Sequence, residues 1–155
     1  MRRLLRPALL IVVVVLVGIQ FIPISSTAPP IDPAQTLERQ VAVPADVKAI
    51  LDRSCRDCHS NETSWPLYAR IAPFSWLLAS HVRQGREDMN LSEWGQYDAG
   101  AARDILVEVC RQVKKGAMPK WSYALVHRSA ALSPADVTTL CTWSDTTRKA
   151  IQAAE

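Results

Sequence analysis

The sequence predicts an all-α fold, and three observations carry that expectation. Apolar residues recur every three or four positions in four separate segments, the period of one helix face. No stretch shows the alternation of a half-buried strand, and the 155 residues include only five glycines. Capping and stop signals fall where the periodic segments begin and end.

Four helices are expected. The first runs from about Pro44 into Cys55–His59, with Val47, Ile50, Leu51, Ser54, Cys55 and Cys58 on one face. The second starts near Pro73, where a missing N–H costs least, and reaches about Arg86 through Trp76, Leu77, Leu78 and Val82. The third spans about Ala99 to Lys115, with Ile105, Leu106, Val109, Cys110 and Val113 on one face and Gly116 as its stop. The last opens at Ser133-Pro134-Ala135-Asp136, a serine cap with an acid three residues on.

Before these helices the chain changes character. Arg2, Arg3 and Arg6 precede the uncharged run Ala8–Ile24. As a helix, its 17 residues would extend about 26 Å, just short of a bilayer core. Ser26-Thr27-Ala28 resembles a cleavage site, but Pro29 follows at once. The expectation is therefore an uncleaved single-pass N-terminal transmembrane segment in a bacterial inner membrane, with the rest in the periplasm. A cleaved signal and a soluble periplasmic protein are the alternative. Residues 1–28 form this segment, 29–45 a linker holding four of the ten prolines, and 46–155 the domain.

The sequence pI of about 8.8 belongs largely to that N-terminus. Without its three arginines the 18 basic residues fall to 15, equal to the 15 acidic ones. No basic stripe remains to suggest a nucleic-acid partner.

The chemistry concentrates in Cys55-x-x-Cys58-His59. Zinc would need four ligands in spaced pairs, yet Cys110, Cys141, His81 and His127 each stand alone. A redox dithiol would follow a strand, and here a helix precedes the motif. Chance remains the bland reading. Covalent haem c suits the pattern best: two thioethers from Cys55 and Cys58, with His59 one helical turn on as the proximal axial ligand.

For the distal position Met118 is the leading candidate, in a loop stiffened by Pro119, although a core gap-filler is methionine's usual role. His127 and His81 are the lesser alternatives, and Met89 is also available. Five tryptophans suit core packing, walling of a haem from water, or both. Cys110 and Cys141 face inward on two helices, as a disulfide or as two buried thiols.

The stretches "ILDRSCRDCHSNETSWPLYARIAPFSWLLASHVRQGREDMNLSEWG" and "GAMPKWSYALVHRSAALS" resemble the bacterial haem-binding domain family, a c-type cytochrome-like group. The matching elements are Cys-x-x-Cys-His-Ser-Asn-Glu-Thr and Met-Pro-x-x-x-Tyr-x-x-x-His. Arg56 and Leu67 depart from it, standing where an aromatic and a tryptophan are frequent. The resemblance implies a small cytochrome-c-like helical domain around one covalent haem, held by Cys55, Cys58 and His59. It favours Met118 as distal ligand and draws notice to Asn61, Tyr68, Asn90, Glu93 and Trp94.

The expected function is that of a membrane-anchored periplasmic monohaem c-type cytochrome, passing single electrons between unidentified donor and acceptor proteins. A haem-based gas or redox sensor with a displaceable distal ligand is the alternative. An enzyme is not expected; weak peroxidase-like activity would need His81 or His127 as a distal base.

Overall fold

The fold is seen in a computed structural model that describes residues 2–24 and 26–154, with Arg2–Leu5 described through their backbone alone. The charged groups of Arg2 and Arg3 therefore lie outside the described residues. Among the described residues the chain is all-helical, but with eight α-helices and five 3-10 turns rather than four long helices.

The N-terminal expectation is overturned: no helix among the described residues is long and apolar enough to cross a membrane. The first helix, α1 (Arg2–Gly18), spends its opening turns on arginines and contains Pro7. Of the apolar run only Ala8–Gly18 is α-helical, about 17 Å at 1.5 Å per residue. A 3-10 turn at Ile19–Phe21 and an extended Ile22 follow. Gln20, the run's polar residue, turns to the domain: its Nε2 donates to the Ala72 carbonyl at 3.2 Å, and the Ala72 N–H donates to its Oε1 at 2.9 Å.

The stretch read as a linker contributes to the core. Asp32 caps a 3-10 turn at Pro33–Gln35, and α2 (Leu37–Gln40) follows. Leu37 is fully buried among Leu51, Leu91 and Trp94. Pro33 and Pro44 on either side of α2 rule out a long helix here but not a burying turn.

The first domain helix breaks in two. α3 (Ala45–Ser54) ends at Cys55, whose φ of −125° leaves the helical region, and α4 (Arg56–His59) is a single turn. α5 (Phe74–Asp88) and α6 (Ala99–Lys114) lie close to their expected bounds. Asp98 caps α6, its carboxylate accepting from the Ala101 N–H, and Gly116 follows with φ of +65°, a backbone that side chains disfavour. Next come α7 (Trp121–Val126) and α8 (Pro134–Ala153), the latter with a complete capping box between Ser133 and Asp136.

The core gathers Val47, Ile50 and Leu51 of α3, Leu106 and Val113 of α6, and Leu140 and Trp143 of α8. Cys110 and Cys141 bond α6 to α8 as a disulfide, with Cα atoms 4.7 Å apart. Trp143 donates its indole N–H to the Ala42 carbonyl at 2.9 Å, closing the N-terminal stretch onto α8. Arg53 holds α3 to the start of α8, paired with Asp136 at 2.7 Å while donating to the Ser129 and Ala131 carbonyls.

Candidate functional site

The break at Cys55 shapes the motif. The Cys58 and His59 N–H groups both donate back to the Cys55 carbonyl, at 3.1 and 2.9 Å. One tight turn thus carries both sulfurs and the imidazole. Arg56 anchors this turn from outside through Glu38, Asp52 at 2.7 Å and Glu62 at 2.6 Å. Where the resemblance would put an aromatic, this chain uses a guanidinium among three carboxylates.

The turn opens into a cavity of about 480 Å³ between α5, α6 and the start of α7. Cys55, Cys58, His59, His81 and Met118 all line it, with Ile105, Val109 and Val113 of α6 as its apolar wall. Its size lies in the range of ligand pockets. The structure therefore brings together Cys55, Cys58 and His59 with three of the four residues considered for the sixth position, Met118, His81 and Met89. His127 is not among the lining residues; its ring stacks on Tyr123, centroids 4.2 Å apart. None of the five tryptophans lines this cavity: Trp94 and Trp143 are in the core, Trp65 and Trp76 border a second hollow across α5, and Trp121 is exposed.

The His59 ring is held by the backbone through one nitrogen. Its Nδ1 lies 3.2 Å from the Met89 carbonyl oxygen. A carbonyl only accepts, so Nδ1 carries the proton and Nε2 keeps its lone pair. Burial lowers the imidazole pKa, which keeps that lone pair free. The thiols of Cys55 and Cys58 are unpaired, and burial pushes them up to about 12 and about 11. Reactive dithiols show the opposite shift, so the redox-dithiol reading loses its support. No group of three or more His, Cys, Asp or Glu among the described residues could hold a metal ion, which removes the zinc reading. The donor set fits a haem: two neutral thiols, an oriented imidazole, a thioether and an apolar wall.

A buried polar network supports this turn. The Asn61 N–H donates to Ser92 Oγ and its Nδ2 to Glu93, while Asn90 Nδ2 donates to Asn61 Oδ1, each at 3.0 Å. Arg86 of α5 donates to the Ser60 carbonyl at 2.8 Å and to Thr63 at 2.9 Å. The residues after His59 are thereby bonded to the residues after Met89, the residue whose carbonyl orients His59. Asp57, between the cysteines, accepts from the Ser64 N–H at 3.0 Å and the Tyr123 hydroxyl at 2.5 Å.

Sequence reasoning missed the Met89 carbonyl, Gly85 and the Asp57–Tyr123 bond. Gly85 had a readable signal, since an isolated glycine inside a helix often marks close packing. A Cβ there would sit 2.6 Å from the Cys58 carbonyl oxygen. A backbone carbonyl's partner leaves no trace in sequence.

The family described as a haem-binding domain matches this chain over residues 14–146. No curated protein and no solved structure matches it.

Proposed function

The chain belongs to the haem-binding domain family, and from that premise we propose that it holds one haem c covalently and passes single electrons in the periplasm. The observation that carries this reading is the single cavity onto which Cys55, Cys58, His59 and Met118 converge. Cys55 and Cys58 would hold the haem by thioethers, His59 by its free Nε2, and Met118 by its sulfur. Haem, when bound, supplies an Fe(III)/Fe(II) couple. The chain's residues orient and shield it. The Met89 carbonyl holds the His59 ring, Asn61 and Asn90 hold the segments on either side, and Ile105, Val109 and Val113 keep water from the wall. The Cys110–Cys141 disulfide supports an oxidising compartment such as the periplasm.

The test is a visible spectrum of the protein, made alongside haem-maturation machinery in an exporting host, in ferric and ferrous forms. A c-type spectrum is expected, with a ferric methionine-to-iron band that disappears in Met118→Ala. A spectrum without covalent haem would overturn the reading. Because His81 lines the same cavity, a sensor with an exchangeable sixth ligand is the second reading. Rapid CO binding by the ferrous protein would favour it over electron transfer.

A further inference from the structure

α7 stands between the cavity and solvent. Tyr123 lines the cavity, whereas Trp121 and Leu125, four residues apart and so on one helix face, are 78% and 64% exposed. Val126 is 59% exposed beside them. The rings of Tyr68 and His127, 6.0 Å apart, bring the Leu67–Arg70 turn next to the end of α7. That turn adds Leu67, which is 80% exposed. Single exposed apolar side chains are ordinary, but a cluster centred on tryptophan has the composition of a contact surface.

The carboxylate beside this cluster, Asp57, is half-buried and engaged by the Tyr123 hydroxyl, while the exposed charges there are basic. Arg70, Lys120 and Arg128 are exposed, and none forms an ion pair with a described carboxylate. The opposite wall of the cavity carries Asp88, Asp104 and Glu108.

We propose that the α7 face is where electrons pass between this site and a partner protein, and that the partner offers an apolar contact rimmed by carboxylates. This rests on the haem reading above. Pro119, Lys120 and Tyr123 belong to the cavity lining while Trp121 and Leu125 lie outside, so a protein seated here is one short helix from the cavity. Acidic groups on the partner would meet Arg70, Lys120 and Arg128; a basic partner would be repelled. In each transfer the ferrous protein loses one electron and the partner, a one-electron acceptor, gains it, with no bond made or broken.

Stopped-flow oxidation of the ferrous holoprotein tests the surface with two probes, anionic hexacyanoferrate(III) and the cationic tris(phenanthroline) complex of cobalt(III). The anionic probe is expected to slow as salt rises. In Arg70→Glu/Arg128→Glu its low-salt rate falls about tenfold, within the usual span of electrostatic steering, while the cationic probe speeds up. Unaltered rates in that variant, or a wild-type preference for the cation, would overturn the proposal. Binding to phosphatidylglycerol vesicles that is lost in Trp121→Ser would assign the face to lipid instead. A concentration-dependent dimer lost in the same variant would assign it to a second copy; either outcome removes the partner protein. Wild-type protein with no c-type spectrum defeats the haem reading and this proposal together, whereas an intact spectrum with unaltered rates defeats this proposal alone.

Discussion

The side-chain amide of Asn90 donates to Asn61 Oδ1 at 3.0 Å, with both residues buried. Twenty-nine positions separate them, yet this bond joins the segment that follows the cysteines to the one that follows Met89. Asn90→Ala would leave Asn61 Oδ1 and the Ser92 N–H without their partner. The expected cost is about 1–3 kcal/mol of stability, read by urea unfolding of the holoprotein. In a double-mutant cycle with Asn61→Ala the two losses should fall short of additive by more than about 0.5 kcal/mol. Simple additivity would mean that the network does not act as a unit.

Alanine should destabilise at both Gly85 and Gly116, but only at Gly85 should it reach the haem site. A Cβ at Gly85 would lie 2.6 Å from the Cys58 carbonyl oxygen and 3.0 Å from its carbon, both backbone atoms, so α5 must retreat from the motif. Gly85→Ala is expected to cost about 1–3 kcal/mol and to lower the yield of covalent haem. At Gly116 a Cβ meets nothing within 4 Å, and only its φ of +65° is unfavourable. Gly116→Ala should cost about 1–2 kcal/mol and leave the haem yield unchanged. Pyridine haemochrome absorbance against total protein measures the contrast.

The Cys110–Cys141 bridge closes a loop with a sequence separation of 31. Chain-entropy reasoning puts its stabilisation at about 3–4 kcal/mol. Cys110→Ser/Cys141→Ser should lower the melting temperature accordingly, and a reductant should lower the wild type's toward it. α6 also forms the apolar wall of the haem cavity, so faster haem-band loss on heating is expected as well. A melting temperature indifferent to reductant would show that the thiols are not bridged in solution.

Acid should weaken the start of α8. The Ser133 N–H and hydroxyl, together with Arg53, hold the Asp136 carboxyl down at about 2. A depressed carboxyl contributes stability that is complete above its unfolded value, near 4, and is lost as pH falls through its folded value. The contribution should therefore fade between about pH 4 and pH 2. Asp136→Asn should flatten the stability slope in that window. An unchanged slope would remove Asp136 as its source.

The helices that proved legible carry their own boundary chemistry. Ser133 and Asp136 start α8, Pro73 precedes α5, and Gly116 follows α6. Each signal acts within a turn of the chain, so local sequence suffices to read it. Cys55 was misread because its spacing continues the apolar face of α3, while its backbone leaves the helix to fold the Cys58–His59 turn back onto its carbonyl. In residues 29–45, read as a linker, proline marks the chain as irregular, but only the assembled core shows Leu37 to be among its most buried members.

Residue identity and local spacing determined the all-helical class and placed two thiols and an imidazole within one turn, because backbone hydrogen bonding and helix-face periodicity span only a few residues. Tertiary packing decided everything that depends on distant partners. It brought Met118 and His81, but not His127, into the lining of the cysteine cavity. It joined Cys110 to Cys141 and put the Met89 carbonyl against His59. It also ended α1 short of a membrane span, with Gln20 bonded to Ala72 across 52 positions. Such contacts join groups far apart in the chain, and no local pattern encodes which of several equivalent side chains meets which.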